Sequence, residues 1–200
     1  MNITYKYKNS LYINLTNRCT NVCTFCIKNK WKGKFRGHDL KLKIEPTAKQ
    51  VIREIKDPTK YDEIIFCGYG EPFIRLDTLK EIASWVKANG GMVRVNTSGH
   101  GNLINKRNIL PELKGLVDAV SISLNAPNSK VYVKLHKPKF GAAAYKGVLD
   151  FAKKSSKYIP DVTLTCIEFP GANMALCRKI AKELGVKFRV RPYLEGYENN

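Results

Sequence analysis

Cys19, Cys23 and Cys26 stand within eight positions, spaced four and then three. Three readings fit three soft nucleophiles at that spacing. At i, i+4 and i+7 they would form one stripe of a helix packed into a core, since free cysteine behaves as a small apolar residue. They could bind zinc, with Cys67 or His38 as fourth ligand, although structural zinc draws on C-x2-4-C pairs from two knuckles and one triplet is present. They could hold an iron–sulfur cluster, whose usual ligands are thiolates crowded on one loop. Three thiolates on a four-iron cluster leave one iron open to a substrate or cofactor, which suits chemistry rather than electron transfer alone. Cys67, Cys166 and Cys177 are dispersed, too scattered to carry a second cluster. Cys177 lies beside Leu176 and Ile180 and reads as core. Cys166 reads as buried strand filler, with a hydrogen-donating thiol as the alternative.

Such residues need a scaffold that brings them to one place. Residues 11–15, 63–67, 92–95, 119–124, 162–167 and 186–190 are short apolar runs rich in Ile and Val. They are nearly continuous, which predicts parallel strands covered on both faces. Helical periodicity fills residues 46–56, 76–88, 142–157 and 172–184, with a weaker helix over 106–114 split by Pro111. Asn89-Gly90-Gly91 and Gly185 supply stop signals. This β-α order specifies a parallel sheet with right-handed crossovers, either doubly wound or an incomplete barrel. In both, ligands sit at the carboxyl ends of the strands.

One α/β domain is expected over residues 1–200, with no auxiliary cluster domain. The composition, 44 % hydrophobic and 26 % charged, excludes wholesale disorder. No run approaches the ~18 apolar residues of a membrane span, so no membrane partner is expected. Residues 1–9 lack the apolar segment of a secretory signal. A cytoplasmic protein with reduced thiols is the expectation.

The residues after each strand then carry the information. Cys67-Gly68-Tyr69-Gly70-Glu71-Pro72 follows the second. Gly68 and Gly70 there permit close backbone approach to a ligand, or make a glycine-rich turn into the next helix. Val95-Asn96-Thr97-Ser98-Gly99 ends the third, and Ser121-Ile122-Ser123-Leu124-Asn125-Ala126 the fourth. Short hydroxyls and amides can bond a ribose; they are also ordinary turn residues.

Together these segments resemble the radical S-adenosylmethionine (radical SAM) superfamily. The C-x3-C-x2-C triplet, with Phe25 before its third cysteine, is similar to the family's cluster motif. Gly68 to Pro72 resembles its glycine-glycine-glutamate element, and 96–99 its T-x-N-G segment. Residues 123–126 resemble S-L-D-A, with Asn125 lacking the charge of the aspartate. Ser123 to Pro127, Tyr132, Lys137 to Gly141, Pro160 to Val162 and Phe188 to Tyr193 are most similar to the short TatD-family-associated members, across essentially the whole chain. The resemblance implies an incomplete (β/α)6 barrel and a [4Fe-4S] cluster on Cys19, Cys23 and Cys26. It implies S-adenosylmethionine bound by Gly68, Gly70, Glu71, Asn96, Thr97, Ser123 and Asn125. It implies reductive cleavage of that cofactor to methionine and a 5′-deoxyadenosyl radical that abstracts hydrogen. It identifies neither a substrate nor a catalytic residue. A reductant such as flavodoxin or ferredoxin, and association with a TatD-type nuclease, follow from the resemblance as expected partners.

The formal net charge is +18, from 35 Lys and Arg against 17 Asp and Glu. Such an excess suits nucleic acid, anionic lipid or an acidic partner protein, or is a lysine-rich bias of solvated faces. Lys28, Lys30, Lys32, Lys34, Arg36, Lys41 and Lys43 surround Trp31 and Phe35 and read as a loop able to cover the site. Lys130, Lys134, Lys137, Lys139 and Lys146 surround Tyr132 and Phe140. Basic residues interleaved with aromatics can hold phosphates and stack on bases, or be solvated lysine-rich loops. An activating enzyme that makes a glycyl radical on an acidic partner, and a non-catalytic metal-bearing nucleic-acid module, are the competing readings. His38, His100 and His136 lie in polar stretches and read as loop or surface residues, with His100 alone near the cofactor.

Overall fold

Strand and helix alternate as expected, in a computed structural model that describes residues 2–30, 33–169 and 172–193, the side chains of 29 and 30 excepted. Trp31 and Lys32, and the side chain of Lys30, lie outside the described residues. The elements are β1 (Thr4–Tyr7), β2 (Ser10–Ile13), α1 (Ile27–Lys30), β3 (Lys34–Phe35), β4 (His38–Asp39), α2 (Ala48–Ile55) and β5 (Ile64–Phe66). They continue with α3 (Leu76–Ala88), β6 (Val93–Thr97), α4 (Gly101–Asn105), α5 (Leu110–Leu113), β7 (Ala119–Ser123) and α6 (Ser129–His136). Last come α7 (Ala143–Ser155), β8 (Asp161–Glu168), α8 (Met174–Glu183) and β9 (Lys187–Pro192).

Seven strands form one sheet in the order β1-β2-β5-β6-β7-β8-β9. Every pairing from β2 onward is parallel. The added edge strand β1 pairs antiparallel with β2, Tyr5 opposite Tyr12. Its polar–aromatic alternation is an edge strand's pattern, one residue in and one out. The segment after the cysteines is in part a short helix and the β3–β4 ribbon rather than a plain loop.

The expectation of strands covered on both faces is corrected. Leu11, Ile13, Ile64, Phe66, Val93, Val95, Val120, Ile122, Val162 and Leu164 share one core with apolar residues of α2, α3, α7 and α8. The alternate positions are largely polar: Arg94, Asn96, Ser121, Ser123, Thr163, Thr165, Arg189 and Arg191. Period 2 places these on the opposite face. Helices therefore cover one face, and the sheet is the wall of an incomplete barrel with a polar lining. A doubly wound sheet would bury both faces in apolar contact.

Helix limits follow their caps. Thr47 and Gln50 form a reciprocal capping box at the start of α2, so the helix begins after Pro46. Pro111 opens α5 rather than splitting a helix, since proline suits a first turn. Helix α6 reads from sequence as a basic stretch because Val131 and Val133 alternate with polar residues. Asn128 caps it by accepting from Val131 N. Among the described residues no helix is long and apolar enough to cross a membrane.

Candidate functional site

The cysteine triplet follows β2 in a segment without helix as far as Cys26. A helical core stripe is therefore not what these cysteines form. Cys19 is exposed, and Cys23 and Cys26 are half-buried. Desolvation, with Glu71 and Cys26 adding, pushes the Cys19 thiol up to about 11, while Asn21 N–H and Lys28 pull the other way. Burial and the neighbouring Cys19 and Cys26 push the Cys23 thiol higher still. Thiols crowded this way resist ionisation together until a cation compensates them. No three Cys, His, Asp or Glu side chains converge for a single metal ion among the described residues. The donor set instead suits a cluster, where each thiolate binds its own iron. Cys67 stands apart with Asn96, Arg191 and Tyr5 as neighbours, and His38 packs beside Tyr5 at 5.4 Å.

The loop is fastened on two sides. At its base Arg18 makes a two-point contact with Glu45, 2.7 and 2.8 Å, and Thr16 Oγ1 also donates to Glu45. The Glu71 amide donates to Arg18 O at 2.8 Å. Toward its tip, Val22 N and Thr24 N donate to the His136 and Leu135 carbonyls, each at 2.9 Å. Those carbonyls close α6 and lack partners within the helix. Lys139 N donates to Thr20 O at 2.8 Å. The second basic stretch thus holds the cysteine loop in place.

Gly68 and Gly70 serve that attachment. A Cβ on Gly68 would collide with Asn14, and one on Gly70 with the Thr16 and Arg18 carbonyls. These carbonyls are backbone and move only with the loop. Gly70→Ala is expected to destabilise the protein by about 1–3 kcal/mol through overpacking and to lower iron retention. Urea unfolding and iron content before and after gel filtration check both; wild-type values in the two assays would contradict the close approach.

Glu71 is 1 % exposed. Its carboxylate accepts from Thr97 Oγ1 at 2.7 Å, Ser98 N at 2.7 Å, Ser98 Oγ at 2.6 Å and Phe73 N at 3.3 Å. Burial pushes its pKa above the ordinary carboxylate range, and these hydrogen bonds oppose that. The side chains of Glu71 and Thr97 therefore tie the turn after β5 to the turn after β6. Asn96 Oδ1 is buried without a partner. It is an acceptor left open beside Cys67, an observation that fits a bound group with hydroxyl or amino donors. Ser123 Oγ accepts from Arg191 Nη2 at 3.0 Å. Asn125 takes a left-handed φ of 55°, tolerated by asparagine, and its Oδ1 accepts from Ile167 N at 2.8 Å.

Two histidines are not where the sequence reading puts them. His100 and His136 are 0 % and 1 % exposed, under the cysteine loop. His100 Nδ1 lies 3.0 Å from Thr20 Oγ1, and its Nε2 3.0 Å from the Tyr132 hydroxyl. Tyr132 stacks on His136 at 4.2 Å and 12°, one turn apart on α6. His136 Nδ1 lies 3.3 Å from Cys23 Sγ, and its Nε2 3.4 Å from Asn125 Nδ2. Tyr132 and Phe140, read as base-stacking candidates, pack against His100. The signal available was the i, i+4 spacing of Tyr132 and His136 behind the Asn128 cap.

Burial drops His100 to about 4. The unfolded chain takes up a proton below about 6.5, the folded chain only near 4, so this contribution to stability is full above pH 6.5 and lost as pH falls. Roughly 2 kcal/mol should disappear between pH 6.5 and 5. Denaturant titrations of the metal-free chain should show that slope, reduced in His100→Gln.

Residues 13–184 match the family model described as the radical SAM superfamily. The chain belongs to that superfamily. A radical SAM enzyme uses a [4Fe-4S] cluster and S-adenosylmethionine, and the three thiols and the open Asn96 acceptor fit such groups. Solved structures agree in fold. The structure of TYW1 with a lysine-pyruvate adduct bound has a TM-score of 0.66 at 13 % identity, over 94 % of this chain and 66 % of that one. Streptococcus suis SuiB bound to S-adenosylmethionine gives 0.68 at 16 %, over 96 % and 42 %. A radical SAM methyltransferase from Sphaerobacter thermophilus gives 0.58 at 16 %, over 94 % and 68 %. The chain thus spans less than two thirds of the first two and just over two thirds of the third. No curated protein matches it in sequence.

Proposed function

We propose that this radical SAM enzyme cleaves S-adenosylmethionine reductively at the mouth of its partial barrel and abstracts hydrogen from a negatively charged substrate. The observation that carries the reading is the loop of Cys19, Cys23 and Cys26, fastened over strand ends that leave the Asn96 oxygen open. A reduced [4Fe-4S] cluster carrying S-adenosylmethionine supplies a 5′-deoxyadenosyl radical for that hydrogen transfer. Cys19, Cys23 and Cys26 would each give one thiolate. Asn96 and the backbone at Gly68 and Gly70 would hold the cofactor. Glu71, Thr97 and Asn125, whose side chains bond neighbouring turns, would keep those groups in register. Exposed Lys130, Lys134 and Lys139 suit an acidic electron donor of the flavodoxin or ferredoxin type. Similarity of 123–127 and 137–141 to the TatD-associated members is the support for a nuclease partner or nucleic-acid-related substrate. The test is anaerobic reconstitution followed by reduction with dithionite in the presence of S-adenosylmethionine. Formation of 5′-deoxyadenosine and methionine is expected. A protein that loads iron and sulfide but yields neither product would overturn the proposal.

A further inference from the structure

Among the described residues the inner face of the sheet carries three arginines, of which Arg94 alone is paired with a carboxylate. Arg94 pairs with Glu63 at 2.6 Å. Arg189 and Arg191, two apart on β9, face the serines two apart on β7. Arg189 Nη2 donates to Ser121 Oγ at 3.3 Å and Arg191 Nη2 to Ser123 Oγ at 3.0 Å. Neither guanidinium has an acidic partner among the described residues, and Arg191 Nε is sealed from solvent with no hydrogen-bond acceptor. Cys67, Cys166 and Arg189 are its electrostatic neighbours, and burial lowers its proton affinity.

Arg191 as a whole is half-buried and Arg189 exposed, but a guanidinium nitrogen sealed from water without an acceptor is an unfavourable thing for a fold to keep, and a neutral hydroxyl on the same group repays little of its lost hydration. Planar guanidinium forks match carboxylate and phosphate oxygens. Each serine oxygen here accepts from an arginine, so its own proton is free for a further acceptor. Ser123 ends β7 and Arg191 lies near the end of β9. This is the carboxyl end of the sheet, the end that carries the cysteine loop.

We infer that Arg191 and Arg189, with Ser123 and Ser121, bind an anionic group of the substrate, a carboxylate or a phosphate. The inference rests on the proposed function, since it assumes that the barrel mouth receives the substrate. It gives the overall basic charge a specific place inside the barrel, apart from the exposed lysines.

The experiment uses the anaerobically reconstituted, S-adenosylmethionine-loaded enzyme, with inorganic phosphate and succinate as calorimetric probes. At least one probe should bind, and the one that binds tells phosphate from carboxylate recognition. Arg191→Gln should weaken it by about tenfold or more and Arg191→Lys by less, because a point charge replaces a fork. Arg189→Gln should also weaken it, and provides the reading if Arg191→Gln fails to fold. Lys179→Gln, an exposed change on α8, should leave it unaltered. Affinity for S-adenosylmethionine should change less than about twofold in each variant. The inference is overturned if neither probe binds, if binding ignores both arginines, or if Arg191→Gln chiefly weakens the cofactor, which would assign the guanidinium to the cofactor's carboxylate. Reductive cleavage by wild type is followed in the same samples. Its absence sinks the proposed function, whereas cleavage without anion binding sinks this inference alone.

Discussion

Cys23→Ala is expected to cut iron and sulfide in the anaerobically reconstituted protein from about four of each per chain to well below one. Cys23 is the middle cysteine of the triplet. Its sulfur lies between the loop and the His136 ring at 3.3 Å, and its thiol is pushed up by burial and then by both neighbouring thiols. Two remaining thiolates cannot span a four-iron cluster, and no other Cys, His, Asp or Glu group converges on a metal among the described residues. The other cysteines provide the controls. Cys166 and Cys177 are buried, and the two thiols share a hydrogen bond between β8 and α8. Cys166 belongs to the core on the helix-covered face, so a hydrogen-donating role in the barrel is not its place. Cys177→Ala should retain full iron and the broad absorbance of a cluster. Iron and sulfide surviving in Cys23→Ala would move the cluster to other ligands.

The parallel strands, the long helix α3 and the cysteine loop were legible because each rests on a local pattern. Leu76–Ala88 shows helical spacing and stops at Asn89-Gly90, with Gly90 at φ 77°. Strands β6 and β9 reach past their apolar runs at the polar ends. Asn96, Thr97, Arg191 and Pro192 extend β6 and β9 because a barrel lining accepts polar side chains where a sandwiched sheet would not. What a single sequence hides is pairing across distance. His136 is 113 positions from the Cys23 it faces, and His100 is 80 from Thr20. A histidine between lysines looks solvated until α6 turns it inward beneath a loop from the other end of the chain. Glu71 shows a related limit. Its place in a glycine-glutamate motif points to a ligand, yet its oxygens are filled by the next turn. The glycines read as openings toward a ligand, and on the side a Cβ would occupy the structure adds a second reason for them, Asn14 beside Gly68 and the Thr16 and Arg18 carbonyls beside Gly70.

Replacing Glu71 should separate a ligand from a fastening. In Glu71→Ala the amides of Phe73 and Ser98 and the hydroxyls of Thr97 and Ser98 lose their shared acceptor. The hydroxyls can turn elsewhere, but the two amides cannot. Leaving a buried donor unmade costs about 1–3 kcal/mol each, so the metal-free chain should lose about 4 kcal/mol or more in urea unfolding. Glu71→Gln keeps the volume but sets an amide N–H against donors on one side, for a loss of about 2 kcal/mol. Thr97→Val removes one donor and also the acceptor of Gly99 N at 3.0 Å, which leaves one buried amide unmade, and should lose about 2 kcal/mol. Glu71→Ala, which orphans two amides, should therefore lose most, with Glu71→Gln and Thr97→Val similar to each other. Since the Glu71 amide also holds Arg18 O at 2.8 Å, a loosened turn transmits to the cysteine loop. Iron retention should fall in the same order as stability. A carboxylate whose main task was to bind the cofactor directly would give another outcome: Glu71→Gln as stable as wild type, with full iron, and weakened only in its affinity for S-adenosylmethionine.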